Sequence, residues 1–328
     1  MTAAIRFTRP GPPSVLRLVP VERQAPGPGD VLIAVEAAGV NNADLLERRG
    51  HYPVPADAPP GLGLECAGTI AAVGREVRDW QVGDRVCALL AGGGYAEEVV
   101  VPAGQVLPVP RGFTMIEAAS FPEVACTVYA NLAVLAGLRA GQSVLVHGAG
   151  GGFGSFAIQW AAAIGATVIT TAGSRAKVDA AYALGAHTAI DYRTDDFVTA
   201  TLDATNGRGV DAVLDVVGAD YLQRNLRCLA PDGHLVIIGG SATRTPLDLG
   251  ELMVRRASVS ATMLRGRPKA QKAEIVAGVI RDVLPLIEAG RIRPVIDSVF
   301  PLAQAGRAHE LLESGRTVGK IILTSGAV

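Results

Sequence analysis

Apolar positions in the first 110 residues fall in short runs separated by Gly and Pro. VLIAVEAAGV (31–40) follows the turn GPGD (27–30), and AGTIAAVG (67–74), DRVCALL (84–90) and AEEVVVP (96–102) have strand composition. The density of proline between them predicts irregular loops joining short strands. Near residue 115 the pattern changes. MIEAASFPEVACTVYANLAVLAGL reads as helical, with a break around Pro122. Strand and helix patterns then alternate. The strands are SVLVHGAG (143–150), TVITTAG (167–173), HTAIDY (187–192), GVDAVLDVVG (209–218) and GHLVIIGG (233–240). The helices are SFAIQWAAAIGA (155–166), RAKVDAAYALGA (175–186) and DYLQRNLRCLA (220–230). This alternation predicts an α/β fold, a doubly wound parallel sheet with helices on both faces. After residue 265 come a helical stretch (KAQKAEIVAGVIRDVLPLIEAG), an extended run (RPVIDSVFP), a helix (AQAGRAHELLESG) and a strand (GKIILTS). We expect residues 1–121 plus 265–328 to form one domain, with 122–264 inserted into it as the second.

The totals support two cores. The chain has 328 residues, 49% hydrophobic and 19% charged, more than one core usually accommodates. A formal net charge of −1, with Lys and Arg scattered, predicts no nucleic-acid partner and no basic membrane-binding face. The most apolar long stretch, 118–138, is interrupted by Pro122, Glu123 and Asn131, which argues against a membrane span. Cys66, Cys87, Cys126 and Cys228 lie far apart with no CxxC, as expected of buried thiols in a reducing compartment. The opening MTAAIRFTRPGPPS has no apolar core, so a cytoplasmic location is expected.

One stretch concentrates glycine: HGAGGGFGSFAIQW (147–160) has five glycines in eight positions, between a predicted strand and a predicted helix. Glycine in an ordered segment costs about 0.5–1 kcal/mol relative to alanine, so the loop must turn tightly or admit a ligand to its backbone. The spacing is Ala149-x-Gly151-x-x-Gly154, with Gly152 and Phe153 between, a dinucleotide-binding fingerprint with alanine for the first glycine. Gly151 would admit the pyrophosphate, Gly154 would let helix and sheet pack closely, and the helix N-terminus would face the anion. The second strand ends Gly173-Ser174-Arg175, with Lys177 next, and no acid occurs from Ser155 to Val178. A carboxylate there would bind a ribose 2′-hydroxyl. Hydroxyl, guanidinium and ammonium groups suit a 2′-phosphate, so the expected cofactor is NADPH. Gly218, Gly239 and Gly240 end later strands, where a parallel sheet takes ligands.

No zinc site is expected. Zinc needs three or four converging Cys, His or carboxylate ligands. At GVNNADLLERRGHYP (39–53) and GLGLECAGTI (61–70) the comparable positions in medium-chain alcohol dehydrogenases would supply ligands, and here they are Asn41 and Leu64. His51, His147, His187, His234 and His309 form no HxxxH pair.

Across essentially the whole chain the order GVNNAD, RGHYPVP, GLGLECAG, VGDRV, GGGYAE, ACTVYANL, the glycine loop, TAGSRAK, AIDYRTDDF, DVVG and VGKIIL resembles the zinc-free, zeta-crystallin-like quinone oxidoreductases of the medium-chain dehydrogenase/reductase superfamily. Phe153, where that group commonly has valine, and Glu123–Val124 depart from its pattern. The resemblance implies a Rossmann domain inserted into a GroES-like β-rich catalytic domain. It places Asn41, Asp44 and Tyr52 around the nicotinamide and substrate, Thr127 on the facing helix, and Tyr192 near the adenosine phosphate. It makes Lys320 a cofactor-side lysine. Glu65 aligns with the glutamate of the lost zinc motif and is expected to pair with an arginine. The implied reaction is hydride transfer from NADPH to a quinone in the interdomain cleft. A quinone yields a stable hydroquinone anion and needs no metal, whereas an alkoxide would. An enone or enoyl-thioester reductase is the enzymatic alternative, with Tyr52 as proton donor. An NADPH-binding structural or RNA-binding crystallin-like protein is the alternative without turnover. The family also implies a homodimer through RASVSATML (256–264), a pattern equally compatible with an interior strand.

Overall fold

A computed structural model describes residues 1–240 and 243–326. The described chain divides into two compact units. One comprises Met1–Cys126, Leu264–Glu288 and Pro294–Val328, and the other Thr127–Met263 and Ala289–Arg293. The boundary falls five residues later than the composition shift suggests, inside a helix. The short 289–293 segment joins the second unit, where Arg293 exchanges hydrogen bonds with the side chain of Gln159 (2.9 and 3.0 Å).

The first unit opens with strands β1 (Thr2–Arg6), β2 (Arg17–Val21), β3 (Asp30–Val40), β4 (Glu65–Val73), β5 (Arg85–Leu89), β6 (Glu98–Pro102) and β7 (Val106–Pro108). The parallel strands of the second unit are β8 (Ser143–His147), β9 (Thr167–Ala172), β10 (Thr188–Asp191), β11 (Val210–Asp215), β12 (Leu229–Ile237) and β13 (Ser258–Ala261). The chain then returns to the first unit for β14 (Ile296–Pro301) and β15 (Lys320–Thr324). Helices α1 (Asn42–Arg48), α2 (Met115–Ala118) and α3 (Pro122–Val128) precede α4 (Gly152–Ala163), α5 (Arg175–Ala183), α6 (Phe197–Ala204), α7 (Leu222–Cys228) and α8 (Leu249–Arg255). The last three are α9 (Lys269–Asp282), α10 (Leu284–Glu288) and α11 (Ala305–Glu313).

The first unit is built on a seven-stranded sheet ordered β14-β15-β3-β4-β5-β7, with β6 also paired to β3. The long β3 bends to serve several partners, with register shifts at Leu32/Ile33 and Val35/Ala37. Its inward face forms a core from Ile33, Val35, Ile70, Val86, Leu62 and Tyr95, closed by Ile321 and Leu323 of β15.

The second unit is a six-stranded parallel sheet ordered β10-β9-β8-β11-β12-β13. The central β8 is buried along its whole length, so its continuous apolar run reflects cover on both faces. The order turns outward in both directions from β8, and the carboxyl ends of β8 and β11 mark the point where such sheets take ligands. The 256–264 strand shortens to β13 and lies at the sheet edge, paired among the described residues only with β12. The apolar helical stretch breaks before Pro122 and passes from α3 into a π-helical turn, Tyr129–Leu135. Residues Met115–Leu135 are long and apolar enough to cross a membrane by composition, but most of that stretch is buried inside the protein.

Candidate functional site

The glycine loop begins where His147 ends β8. Its ring is buried and fixed on both sides, Nδ1 to Thr171 Oγ1 at 2.9 Å and Nε2 to Asn225 Oδ1 at 2.8 Å. Burial lowers its pKa to about 4, so it remains neutral. Gly148 then turns with φ of 87°, and the N–H groups of Gly148 and Ala149 both donate to Thr171 O (3.1 and 2.9 Å). Gly154 is required by packing, because a Cβ there would stand 2.2 Å from Gly148 O. Gly151 differs. It caps α4 in extended conformation, and a Cβ on it would find nothing nearer than 3.9 Å. Its absent side chain therefore leaves space in front of the first turn of α4, where Gly152, Phe153 and Gly154 present N–H groups.

The end of β9 is folded against this loop. A Cβ on Gly150 would meet the Lys177 stem (2.4 Å to Cδ), so that side chain lies across the glycines. Ser174 caps α5, its hydroxyl accepting from Lys177 N at 3.4 Å. Arg175 is exposed and pairs with Asp179 at 2.9 Å. Tyr192, just past β10, places its hydroxyl over Gly173, where a Cβ would approach it to 2.4 Å. At the next strand ends, Asp215 accepts from the N–H groups of Val217 (2.7 Å) and Gly218 (3.1 Å). Gly240, with φ of 95°, lies so close to Val217 O that a Cβ would overlap it at 2.0 Å, and Gly239 precedes it. Loop, Lys177, Tyr192 and these glycines thus share the carboxyl end of the sheet. Thr127 is the first residue of this unit, and its carbonyl accepts from Asn131 Nδ2 at 2.8 Å.

The first unit holds the other candidates in a buried polar cluster. Asn41 precedes α1, and its N–H donates to Asp44 Oδ2 at 2.8 Å, a capping contact from the third helical residue. The Asn41 amide is held at both ends, Nδ2 donating to Glu65 Oε1 (2.9 Å) and Oδ1 accepting from Lys320 Nζ (2.6 Å). Lys320 also pairs with Glu65, and both side chains are at least 95% buried. Glu65 therefore pairs with a lysine rather than the expected arginine, because β15 lies beside β3 and delivers Lys320 to it. Lys320 itself is part of this cluster in the first unit. The second Glu65 oxygen accepts from Glu123 N at 2.9 Å.

Asp44 is fully buried. Desolvation raises its pKa to about 6, opposed by the N–H groups of Asn41 and Gly63. Tyr95 donates to Asp44 Oδ2 at 3.2 Å and also meets His309 Nε2 at 3.2 Å. His309 Nδ1 lies 3.3 Å from Arg48, which pairs with Glu313. Desolvation, then Arg48 and Arg49, push His309 down to about 3. Tyr52 is half-buried beside Arg265, whose guanidinium carbon is 5.6 Å from its ring centre. Burial, then the Glu123 charge, raise the Tyr52 hydroxyl to about 12, so it keeps its proton. Arg265 is anchored by Glu47 Oε2 and Ala91 O, each at 2.6 Å.

Sequence reasoning did not find Tyr95, His309, Arg48, Glu47 or Arg265. Two signals were present, the tyrosine of GGGYAE and a histidine four residues before Glu313 on a helix. Leu64, where a metal ligand would stand in a zinc enzyme, is buried. Among the described residues no group of three or more His, Cys, Asp or Glu side chains has the arrangement to hold a metal ion.

Comparison with known proteins places this geometry. Residues 27–111 match the family described as alcohol dehydrogenase GroES-like domain, and residues 184–323 the one described as zinc-binding dehydrogenase. The chain is 36% identical to the quinone oxidoreductase of Pseudomonas aeruginosa over 98% of its own length and 99% of that protein. It is 34% identical over 98% of its length to a phenolphthiocerol/phthiocerol polyketide synthase protein of Mycobacterium tuberculosis, of which it spans only 15%. The crystal structure of Escherichia coli quinone oxidoreductase complexed with NADPH superposes with a TM-score of 0.88 at 33% identity, covering 98% and 99% of the two chains. The CurK enoyl reductase structure gives 0.86 at 27% identity, with 98% and 99% covered. The chain belongs to the quinone oxidoreductase family of the medium-chain dehydrogenase/reductase superfamily.

Proposed function

We propose that this protein is an NADPH-dependent quinone oxidoreductase that passes a hydride to a quinone without zinc. The observation that carries this reading is the Asn41 amide, clamped between Glu65 and Lys320 where a metal-dependent relative would supply a ligand. An amide and the neighbouring Leu64 offer a metal nothing in place of thiolate and imidazole. Without a Lewis acid the acceptor must stabilise its own negative charge, and quinones do.

The glycine loop fits the cofactor: Gly151 is open to a pyrophosphate, and the cationic Lys177 crosses the loop where a carboxylate would repel a 2′-phosphate. Ser174, Arg175 and Lys177 would hold that phosphate, while Ala149, Gly151, Gly152, Phe153 and Gly154 would hold the pyrophosphate. Tyr192, Gly173, Gly218, Gly239 and Gly240 would flank the nucleotide. NADPH supplies the hydride when bound. Asn41, with one N–H on Glu65, offers its second N–H to the nicotinamide amide or the acceptor carbonyl. Lys320 and Glu65 fix the amide orientation, and Asp44 fixes the backbone beneath it. Tyr52 keeps its hydroxyl protonated and donates to the reduced oxygen.

Purified protein with NADPH or NADH and a panel of ortho- and para-quinones tests the reading through loss of nicotinamide absorbance. Quinone turnover, faster with NADPH, is the expected result. NADPH binding with no turnover would overturn it. The protonated Tyr52 also favours a second reading, reduction of an enone or enoyl thioester, in which it protonates carbon. Turnover of a crotonyl thioester alone would select that reading.

A homodimer through β13 is part of the proposal. Among the described residues no strand pairs with the outer edge of β13, and Leu249, Met253 and Val254 of α8 are 62–82% exposed. A monomeric mass by sedimentation at micromolar concentration would exclude it.

A further inference from the structure

The first unit contains a cavity of about 390 Å³ at the start of α9, lined by none of Asn41, Asp44, Tyr52 or Lys320. Its volume is in the range of small-molecule pockets. Pro59, Pro60, Leu90 and Val101 make much of its wall apolar. Three polar side chains in that wall are themselves 3–4% exposed: Gln105, Arg265 and Lys272. The Lys272 ammonium makes no hydrogen bond or ion pair among the described residues, and burial lowers its pKa, with Asp57 opposing. Gln105 Oε1 and Arg265 Nη2 have no hydrogen-bond partner. The 103–105 turn abuts α9 beside Lys272, since a Cβ on Gly104 would lie 2.8 Å from the Ala273 Cβ.

Buried polar groups are satisfied by protein, water or ligand in nearly all proteins. Here a cation and an acceptor face one cavity at the N-terminal end of a 14-residue helix, whose first N–H groups and dipole add to the positive field. Glu47 neutralises Arg265, while the Lys272 side chain makes no direct ion pair among the described residues and has only the field of Asp57 opposing its charge. Two acids, Asp30 and Asp57, also line the cavity. Arg267 and Lys269 line it too, so with Arg265 matched by Glu47 three cations against two acids leave a net charge of +1, which suits a monoanion better than a dianionic phosphate.

We propose that this cavity binds a small organic carboxylate that also carries a hydroxyl. The carboxylate meets Lys272 and the first turn of α9, the hydroxyl donates to Gln105 Oε1, and the apolar body lies on Pro59, Pro60 and Leu90. The site is independent of hydride transfer and stands or falls without it. A smaller cavity lined by Leu64 and Glu123 shares Leu90, Arg265 and Lys272 with this one.

Calorimetric titration of the full-length protein with 4-hydroxybenzoate, benzoate and methyl 4-hydroxybenzoate tests the site. The expected order of affinity is hydroxybenzoate, then benzoate, then the neutral ester. Lys272→Met weakens both acids about tenfold to a hundredfold, the usual worth of a hydrogen bond to a charged group, and leaves the ester unchanged. Gln105→Leu removes the advantage of the hydroxyl and leaves benzoate unchanged. If Lys272→Met does not fold, the order in the unmodified protein together with Gln105→Leu decides. No saturable binding of any probe, or equal affinities in the unmodified protein and the variants, overturns the proposal.

Discussion

The glycine loop of the second unit and the polar cluster of the first are made of opposite materials. The loop works through backbone, so what matters is the side chain each position lacks. Gly154 lacks one because Gly148 O occupies the space, and Gly151 lacks one although the space is open. The cluster works through side chains that satisfy one another out of water, Asn41, Glu65 and Lys320 in one group and Asp44, Tyr95 and His309 in the next. The first kind of site is broken by adding an atom and the second by removing one.

The largest effect is expected from Lys320→Met, which strands the fully buried Glu65 carboxylate. Removing one partner of a buried pair costs about 3–5 kcal/mol, to be read from the urea midpoint. A loss below about 1 kcal/mol would mean that water reaches Glu65 and that the cluster is not closed. Next come the two glycines. Gly154→Val must push Gly148 aside and destabilises by about 1–3 kcal/mol, with loss of NADPH binding. Gly151→Ala leaves stability within about 0.5 kcal/mol and weakens NADPH alone. Equal melting temperatures for the two variants would erase the distinction drawn between them.

Lys177→Ala combined with Arg175→Ala lowers the preference for NADPH over NADH by about tenfold to a hundredfold. Dissociation constants for both cofactors check this, and Lys177 carries most of the change because it lies across the glycine loop while Arg175 is exposed. Acid separates the regions less sharply. His309 and His147 titrate at about 3 and about 4 in the fold, against 6.5 when free. Between those values the unfolded chain binds the extra protons, so stability falls as pH drops from 6.5 toward 4. Asp44, at about 6, acts in the opposite direction over that range because its protonated form is favoured in the fold. Three histidines are pushed down (His147, His234 and His309) against two carboxylates pushed up (Asp44 and Asp215), so the urea midpoint falls between about pH 7 and pH 4.5, and His309→Asn flattens the slope. A midpoint that rises on acidification would show Asp44 to dominate. The smallest effect is Tyr52→Phe on quinone turnover, a loss of about tenfold or less, the worth of one neutral hydrogen bond, because water can protonate a hydroquinone anion. A much larger loss on an enone would favour the second reading.

The same contrast explains what was legible in the sequence. The loop and its basic neighbour span 147–154 and 173–177, so strand, turn chemistry and helix start can be read in one pass. Every strand of the parallel sheet from β8 to β12 was visible, because continuous apolar runs between Gly-rich turns have few other solutions. The cluster was only half visible. Asn41 and Asp44 stood out as a helix start, but their partners come from residues 65, 95 and 320, with His309 behind Tyr95, and nothing local marks Tyr95 or His309 as part of the cluster. The lysine on Glu65 follows from β15 lying beside β3, a pairing across some 280 residues that no periodicity encodes. Short β1, β2 and β7 went unread for a related reason: three to five residues give too little alternation. The π-helical turn after α3 looks like ordinary helix in sequence.

The β15–β3 pairing has a consequence for synthesis. Synthesis runs from the amino to the carboxyl end, so β3, β4 and Glu65 are made before the parallel sheet of the second unit, and β14 and β15 after it. The parallel sheet, contiguous from 143 to 261, can close while the first sheet still lacks two strands. Throughout that interval Glu65 has no lysine, and β3 presents an open edge where β15 will dock. The nascent chain is therefore open to misassociation at β3 while the second unit is made, and β15 ends that exposure.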